Sequence, residues 1–202
     1  MSALLTLAAM GAILLVVGVS VERGKGVKEL ALIASLGAVA AAGRVLFVAI
    51  PSVSPVTVMC LVTGATLGAR AGAAVGALAA LISNTLLGHG PWTPAQMALW
   101  AVVGVSGALL RPAATRVYGL VVLGAAWGFA FGWGMNLWFL ATFGPEVSPE
   151  AFLLTAARSL PFDVAGAAGN AVLALVIGPA LVRMLSRVAG RIRVRAPAPA
   201  PT

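Results

Sequence analysis

The sequence has few charged residues and few of the side chains that form disulfides or metal sites. Charged residues make up 9% of its 202 residues, and hydrophobic residues make up 61%. A soluble domain carries about 25% charged residues, because it needs them to cover a surface in contact with water. The shortage of charge therefore excludes an ordinary soluble protein and predicts a protein that is solvated by lipid.

The scarcity of reactive side chains excludes further classes. A single Cys excludes an intramolecular disulfide, and one Cys with one His cannot complete a closed zinc site. The segment Gly18–Lys25 ends in Gly-Lys, but it is one residue too long for a phosphate-binding loop, and Gly26 replaces the required Ser or Thr. No Gly-x-Ser-x-Gly motif occurs. We therefore predict no catalytic residues, no metal and no cofactor, and a protein that is not an enzyme.

Hydrophobic runs long enough to cross a bilayer recur along the chain. A transmembrane helix needs about 20 apolar residues, and the candidate runs are 2–20, 28–49, 55–69, 72–88, 95–110, 117–142 and 160–186. The third run is short, so it is either a tilted helix or half of a re-entrant hairpin with the fourth. Basic residues follow the first run instead of preceding it, so we interpret it as a retained helix and not a cleaved signal.

The basic residues predict the orientation of these spans. They lie in short clusters between apolar runs and do not alternate with aromatic residues, so the net charge of +8 does not indicate nucleic acid binding. With the N-terminus outside, all basic residues except Arg44 and Arg158 lie in or beside cytoplasmic segments. We predict a multi-pass protein of the cell membrane with a cytoplasmic C-terminus. Its Ala- and Pro-rich end, 196–202, is predicted to be an extended tail.

Small residues recur every fourth position in several predicted helices. Such a stripe lies on one helix face, and in lipid it allows two helix backbones to approach closely. Gly72, Gly76 and Ala80 lead to Asn84, and Gly124, Gly128 and Gly132 lead to Asn136. Gln96 and Asn170 belong to similar stripes. We therefore expect all four amides to point into the bundle, with Asn84, Gln96 and Asn136 near the outer surface.

Charged residues inside spans are candidates for function, because they are costly in lipid. Arg44 lies near the end of the second run and Asp163 at the start of the seventh, while Arg158 lies just beyond an expected helix break at Pro161. Asp163 either pairs with one of the arginines and pins two helices together, or lines an outward-facing pocket with them.

Aromatic residues and the lone histidine lie near the same predicted side. His89 and Trp92 belong to an outer loop that Gly and Pro restrict, and Trp133 lies beside Asn136. These tryptophans are either interfacial anchors or flat surfaces for a planar ligand, and His89 is either a solvated loop residue or a ligand contact. Cys60 is interpreted first as a small packing residue.

Several motifs, taken in order, resemble a known family. They are Arg44-x-x-Phe47, Pro51–Thr57, Leu81–Asn84, Gly88–Gln96, Gly132–Trp138 and Leu160–Asp163 with Gly169-Asn170. Over about 27–188 the chain resembles the S components of energy-coupling-factor (ECF) transporters, which are the substrate-specific subunits of vitamin importers. The outer-loop motifs are most similar to the group that includes cobalamin-specific members.

The resemblance implies a fold, a function and partners. It implies an all-α membrane protein with a six-helix bundle at 27–188, preceded by an extra transmembrane helix and basic loop at 1–26 and followed by a basic tail at 189–202. It implies capture of a vitamin, with a corrinoid as the leading candidate, and delivery through a scaffold subunit with two ATP-binding subunits. Ala34, Ala38 and Ala42 would contact that scaffold.

The substrate-binding residues expected from the charges, the motifs and the amide stripes are Arg44, Asn84, His89, Trp92, Gln96, Trp133, Asn136, Arg158, Asp163 and Asn170. Two other functions stay open at this point. The chain could be a secondary transporter that uses Asp163 for proton coupling, although no convincing internal repeat supports it. It could also be a membrane scaffold without a ligand.

Overall fold

The computed structural model describes residues 3–22, 27–144 and 146–194, and none of these residues forms a β-strand. The helices are α1 (Ala3–Glu22), α2 (Val27–Leu46), α3 (Val56–Leu67), α4 (Ala69–Leu87), α5 (Trp92–Leu109), α6 (Arg111–Ala114), α7 (Val117–Phe143), α8 (Pro149–Val176) and α9 (Gly178–Val194). The predicted all-α class is therefore confirmed. The predicted tail 196–202 lies outside the described residues.

Several helices have the length and the apolar composition of membrane-spanning helices. The helices α2, α4, α7 and α8 are each long and apolar enough to cross a bilayer, and shorter apolar stretches occur at Thr6–Leu15 and in α3. Helices can span lipid because they satisfy their own backbone hydrogen bonds. The chain is accordingly a multi-pass membrane protein. The count of seven spans and the orientation of the termini remain predictions.

The last predicted span is wrong in its boundaries. It was expected at 160–186 after a break at Pro161, but α8 begins at Pro149, passes through Pro161 and ends at Val176. Proline removes one helical hydrogen bond, a loss that membrane helices tolerate when neighbouring groups satisfy the freed carbonyl. Arg158 and Asp163 therefore lie on one continuous helix. A separate helix, α9, follows and continues to Val194.

The short third run forms a tight hairpin with the fourth. Only Gly68 separates α3 from α4, and its φ of 102° is a backbone conformation that glycine adopts readily. All 12 residues of α3 are buried. A helix of that length extends about 18 Å, which is less than the ~30 Å of a hydrocarbon core. Whether α3 crosses as a tilted helix or forms a re-entrant hairpin with α4 stays a prediction.

Glycines bring the backbones of α3, α4 and α5 into contact. A Cβ atom at Gly64 would overlap the carbonyl oxygen of Gly104, and a Cβ atom at Gly104 would overlap the backbone of Gly72. Likewise, a Cβ atom at Gly76 would overlap the carbonyl oxygen of Trp100. This geometry confirms that the glycine stripe of α4 lies at a helix contact, as close packing in lipid requires.

The helices form two groups. In the first group, α2, α3, α4 and α5 pack on one another, α1 lies against α4 and α5, and α9 lies mainly against α3. In the second group, α7 packs along α8, where a Cβ atom at Gly128 would overlap the backbone of Ala167. Contact between the two groups is sparser than contact within either group. A cavity lies between them.

Candidate functional site

The cavity lies near the end of the bundle at which α2 ends and α5 begins. Its volume is about 320 Å³, near the lower limit of the ~300–1,000 Å³ typical of small-molecule sites. It is lined by residues of α2, the connection 47–54, α5, α7 and α8. The side chains that give it chemical character are Arg44, Gln96, Asp163 and Asn170, with aromatic walls from Phe47, Trp100, Trp127, Phe131 and Phe162.

Arg44 is held from two directions. Its Nη1 donates hydrogen bonds to Ser83 Oγ at 2.6 Å and to Asn84 Oδ1 at 2.6 Å. Its Cζ lies 5.0 Å from the centroid of the Trp100 ring, which is within the range of a cation–π contact. These contacts use both N–H groups of Nη1, so Nε and Nη2 are the donors that remain for the cavity.

Asn84 connects Arg44 to Gln96. Because a guanidinium can only donate, Asn84 must present its oxygen to Arg44 and its NH₂ group elsewhere. Its Nδ2 donates to Gln96 Oε1 at 2.8 Å and to Thr93 Oγ1 at 3.0 Å. Gln96 therefore accepts through its oxygen and has its own NH₂ group left for the cavity. Asn84 is buried behind the wall and positions the two lining residues.

Asp163 is positioned by a second chain of hydrogen bonds. Ser159 Oγ donates to Asp163 Oδ2 at 2.9 Å, and Asn136 Nδ2 donates to Ser159 Oγ at 2.8 Å. The other carboxylate oxygen, Oδ1, lies so close to Gly132 that a Cβ atom there would overlap it. Asn136 thus acts on the cavity through Ser159, while Asp163 itself lines it.

Asn170 joins the lining of the cavity to the contact between α7 and α8. Its Nδ2 donates to the carbonyl oxygen of Gly124 at 3.1 Å. Because this bond turns the NH₂ group towards α7, the side-chain oxygen is the atom with no described partner. Asn170 is 4% exposed, so the amide is almost wholly enclosed by protein.

The two charges in the cavity do not neutralise each other. Arg44 bonds to Ser83 and Asn84, and Asp163 bonds to Ser159. Within the described ranges no ion pair joins Asp163 to Arg44 or to Arg158, and Arg158 is exposed. The interpretation in which Asp163 pins two helices through an arginine therefore does not describe this structure. The pocket alternative agrees with the placement of Arg44 and Asp163, but not of Arg158.

No family model matches this sequence, and no curated protein and no solved structure is significantly similar to it. The resemblance to ECF S components consequently rests on the motifs alone and stays a prediction.

Three of the ten predicted binding residues, Trp92, Trp133 and Arg158, lie outside the cavity and its hydrogen-bonded support, and His89 reaches only the edge of that support, through Thr93. His89 Nδ1 lies 3.4 Å from Thr93 Oγ1, and the ring of Trp92 lies against Gly90 of the same loop. Trp133 is 47% exposed and contacts the rings of Phe129 and Phe152. Arg158 faces outwards on α8. These tryptophans therefore suit interfacial anchoring better than ligand contact.

Sequence reasoning missed the hydroxyl groups that organise the site. Ser159 precedes Asp163 by one helical turn, and this spacing places the two side chains on one face. Ser83 directly precedes Asn84, and both accept a hydrogen bond from Arg44. Trp100 also lines the cavity, and it follows Gln96 by about one turn on the same helix face. Cys60, by contrast, is fully buried in α3 and does not line the cavity.

Proposed function

We propose that this chain is the substrate-binding subunit of an ECF-type importer and captures a vitamin-like small molecule in the cavity. One observation carries the proposal: Arg44 and Asp163 line the same cavity and do not form an ion pair there. Charges inside membrane helices are costly unless they have a role or a partner. A ligand that bonds to both residues would supply that partner, and aromatic walls suit the ring of a vitamin.

The distribution of basic residues supports an outward-facing cavity. The helices α2 and α4 run in parallel, since Gly37 lies against Leu78 and Arg44 reaches Asn84. Their first turns, with Lys28 and Arg70, are therefore at the end away from the cavity. Cytoplasmic ends of membrane helices are enriched in Lys and Arg. With that end in the cytoplasm, the ligand would enter from outside.

The volume of the cavity bears on the choice of ligand. A corrinoid is larger than a drug-sized molecule, and its site would need the upper part of the ~300–1,000 Å³ range or more. The cavity of about 320 Å³ favours a smaller vitamin or precursor over the corrinoid. We keep the corrinoid as a ligand to be tested, because an open cavity can enclose part of a larger molecule.

The proposed function predicts both a bound molecule and a dependence on partners. Protein purified in lipid nanodiscs should retain a vitamin-sized compound that mass spectrometry of the denatured sample identifies. Cells that express the chain alone should bind this compound but accumulate little of it. Adding the scaffold and the two ATP-binding subunits should restore uptake, because the chain carries no phosphate-binding loop of its own. Persistent emptiness of the purified protein would favour the ligand-free scaffold instead.

A second prediction concerns the contact with the scaffold. Ala34, Ala38 and Ala42 are exposed on one face of α2, which leaves them available for close helix contact. Replacing Ala34 and Ala38 with Leu should reduce co-purification with the scaffold at least about tenfold, because bulkier side chains hold the helices apart. Ligand binding should be unchanged.

The matched control is the exposed pair Ala126 and Ala130 on α7, which has the same four-residue spacing. Leu at both positions should leave co-purification intact. Equal losses for the two pairs would show that the substitutions act through general effects on the bundle, and would remove the assignment of α2 as the contact face.

The hydrogen bonds that link Asp163, Ser159 and Asn136 also favour one alternative, a proton-coupled secondary transporter. A carboxylate in a cavity between membrane helices is a common element of proton relays, and here Ser159 and Asn136 continue from it. ATP-independent accumulation by the chain alone, abolished by Asp163→Asn and by collapse of the proton gradient, would support this alternative over the importer subunit.

A further inference from the structure

We propose that the ligand of this cavity is dipolar: an oxyanion group, such as a carboxylate, binds Arg44 and Gln96, and a cationic or N–H donor group binds Asp163. The inference rests on the proposed function, because it takes the cavity to be a ligand site. It adds the chemical class of the ligand and the direction in which the ligand lies between the two helix groups.

The wall formed by α2 and α5 offers hydrogen-bond donors. Arg44 uses Nη1 on Ser83 and Asn84, so the edge formed by Nε and Nη2 is available. That edge matches a carboxylate, whose two oxygens accept parallel hydrogen bonds from a guanidinium. The Trp100 ring at 5.0 Å and the two hydrogen bonds at Nη1 hold the group in place before the ligand arrives.

Gln96 adds a hydrogen-bond donor to the same wall. The hydrogen bonds among Arg44, Asn84 and Gln96 determine that its NH₂ group, and not its oxygen, is available. Arg44 fixes which end of the Asn84 amide faces it, and Asn84 in turn donates to Gln96 Oε1 at 2.8 Å. The glutamine oxygen is thereby occupied, and its NH₂ group is the part available to a ligand. The neutral side chain of Gln96 therefore favours a hydrogen-bond acceptor on the ligand. The positive charge of Arg44 beside it favours the same kind of group.

The opposite wall, on α8, offers acceptors. Asp163 receives one hydrogen bond from Ser159 at Oδ2, and Oδ1 has no described donor. About two turns further along, Asn170 uses its NH₂ group on Gly124, which leaves its oxygen. A carboxylate and an amide oxygen on one helix face suit an ammonium, amidinium or ring N–H group.

The two walls carry opposite charges that have no ion-pair partner in the described residues, so a ligand with both complementary groups would neutralise both. A simple anion would leave Asp163 without a partner, and a simple cation would leave Arg44 without one. An unpaired charge in a poorly hydrated site is costly. The aromatic side chains between the walls, including Trp127 and Phe131, suit a flat ring that connects the two groups.

Three aromatic probes of matched shape test the inference directly. They are para-(aminomethyl)benzoate, which has both charges, para-toluate, which has only the anion, and para-methylbenzylamine, which has only the cation. Binding to the intact protein in nanodiscs would be measured by calorimetry or by ligand-observed NMR at millimolar concentrations. We expect the dipolar probe to bind at least tenfold more tightly than either singly charged probe.

Variants should separate the two charges. Arg44→Gln should remove the advantage of the dipolar probe over para-methylbenzylamine, and Asp163→Asn should remove its advantage over para-toluate. Arg44→Lys keeps the charge but loses the two-pronged geometry, so it should retain only part of the affinity. Arg158→Gln, an exposed residue of α8 that does not line the cavity, is the control and should change nothing. Circular dichroism would show that each variant is folded.

Two outcomes would overturn the inference. One is binding of para-toluate or para-methylbenzylamine as tight as that of the dipolar probe, and the other is no binding by any of the three. Either outcome leaves the proposed function standing if the purified protein still retains a vitamin-sized molecule. Loss of both the probe binding and the retained molecule would remove the proposed function as well.

Discussion

Replacing Gly104 with Ala is expected to destabilise the bundle by about 3 kcal/mol or more. A Cβ atom at this position would overlap the backbone carbon and oxygen of Gly72. Backbone atoms cannot move aside as the end of a flexible side chain can, so α4 and α5 must separate. Separation would also disturb α3, because the carbonyl oxygen of Gly104 lies where a Cβ atom of Gly64 would be. Thermal unfolding in detergent, followed by circular dichroism and size-exclusion chromatography, would measure the effect.

Gly190→Ala is the matched control. Gly190 lies in the helix α9, and a Cβ atom there would have no neighbour within 4 Å. Alanine has a higher helix propensity than glycine by up to about 1 kcal/mol, so this variant should be as stable as the parent or slightly more stable. If Gly104→Ala and Gly190→Ala unfold at the same temperature, α4 and α5 do not approach each other as closely as the structure shows.

Replacing Gly132 with Ala is expected to weaken ligand binding by about tenfold to hundredfold, or about 1.4–2.8 kcal/mol. The new methyl group would overlap Oδ1 of Asp163 and turn the carboxylate away from the cavity. The affected atoms belong to a side chain, so the bundle itself should fold. Affinity for the compound that the parent protein retains, measured by calorimetry in nanodiscs, is the appropriate observable.

A double-mutant cycle would show whether Gly132→Ala acts through Asp163. In an Asp163→Ala background there is no carboxylate to displace, so the additional substitution should cost little further affinity. Gly11→Ala, at a position of α1 with open space around it, should leave affinity unchanged. A loss for Gly132→Ala that persists at full size in the Asp163→Ala background would contradict the proposed role of the carboxylate.

Composition and periodicity predicted the helical class and most helix positions, and particular residues show where such reasoning stops. The apolar run at 117–142 corresponds closely to α7, since a long run without charge has few alternatives to a helix in lipid. Pro161 was interpreted as a break because proline interrupts helices of soluble proteins. It is exposed on the outer face of α8 in the structure, and the helix continues through it.

The charged and amide residues of the site could be predicted from the sequence, but the hydrogen bonds that join them could not. Arg44 and Asp163 are conspicuous in apolar segments, so their cost in lipid identifies them as candidates. The orientation of the Asn84 amide depends on which atom Arg44 offers to it across two helices, and no spacing rule contains that information. Likewise, His89 and Trp92 lie close in sequence to Gln96, which lines the cavity, but His89 contacts Thr93 and Trp92 packs on Gly90.

The division of the helices into two groups makes the melting temperature of this protein a reporter of any molecule that binds in the cavity. The cavity is lined by α2 and α5 on one side and by α7 and α8 on the other. Any molecule that fills it therefore adds contacts between the two helix groups, where the protein's own contacts are sparse. A ligand at a hundred times its dissociation constant raises the free energy of unfolding by about 2.7 kcal/mol. A library of vitamins and precursors can therefore be screened by heating alone, without a label and without a transport assay.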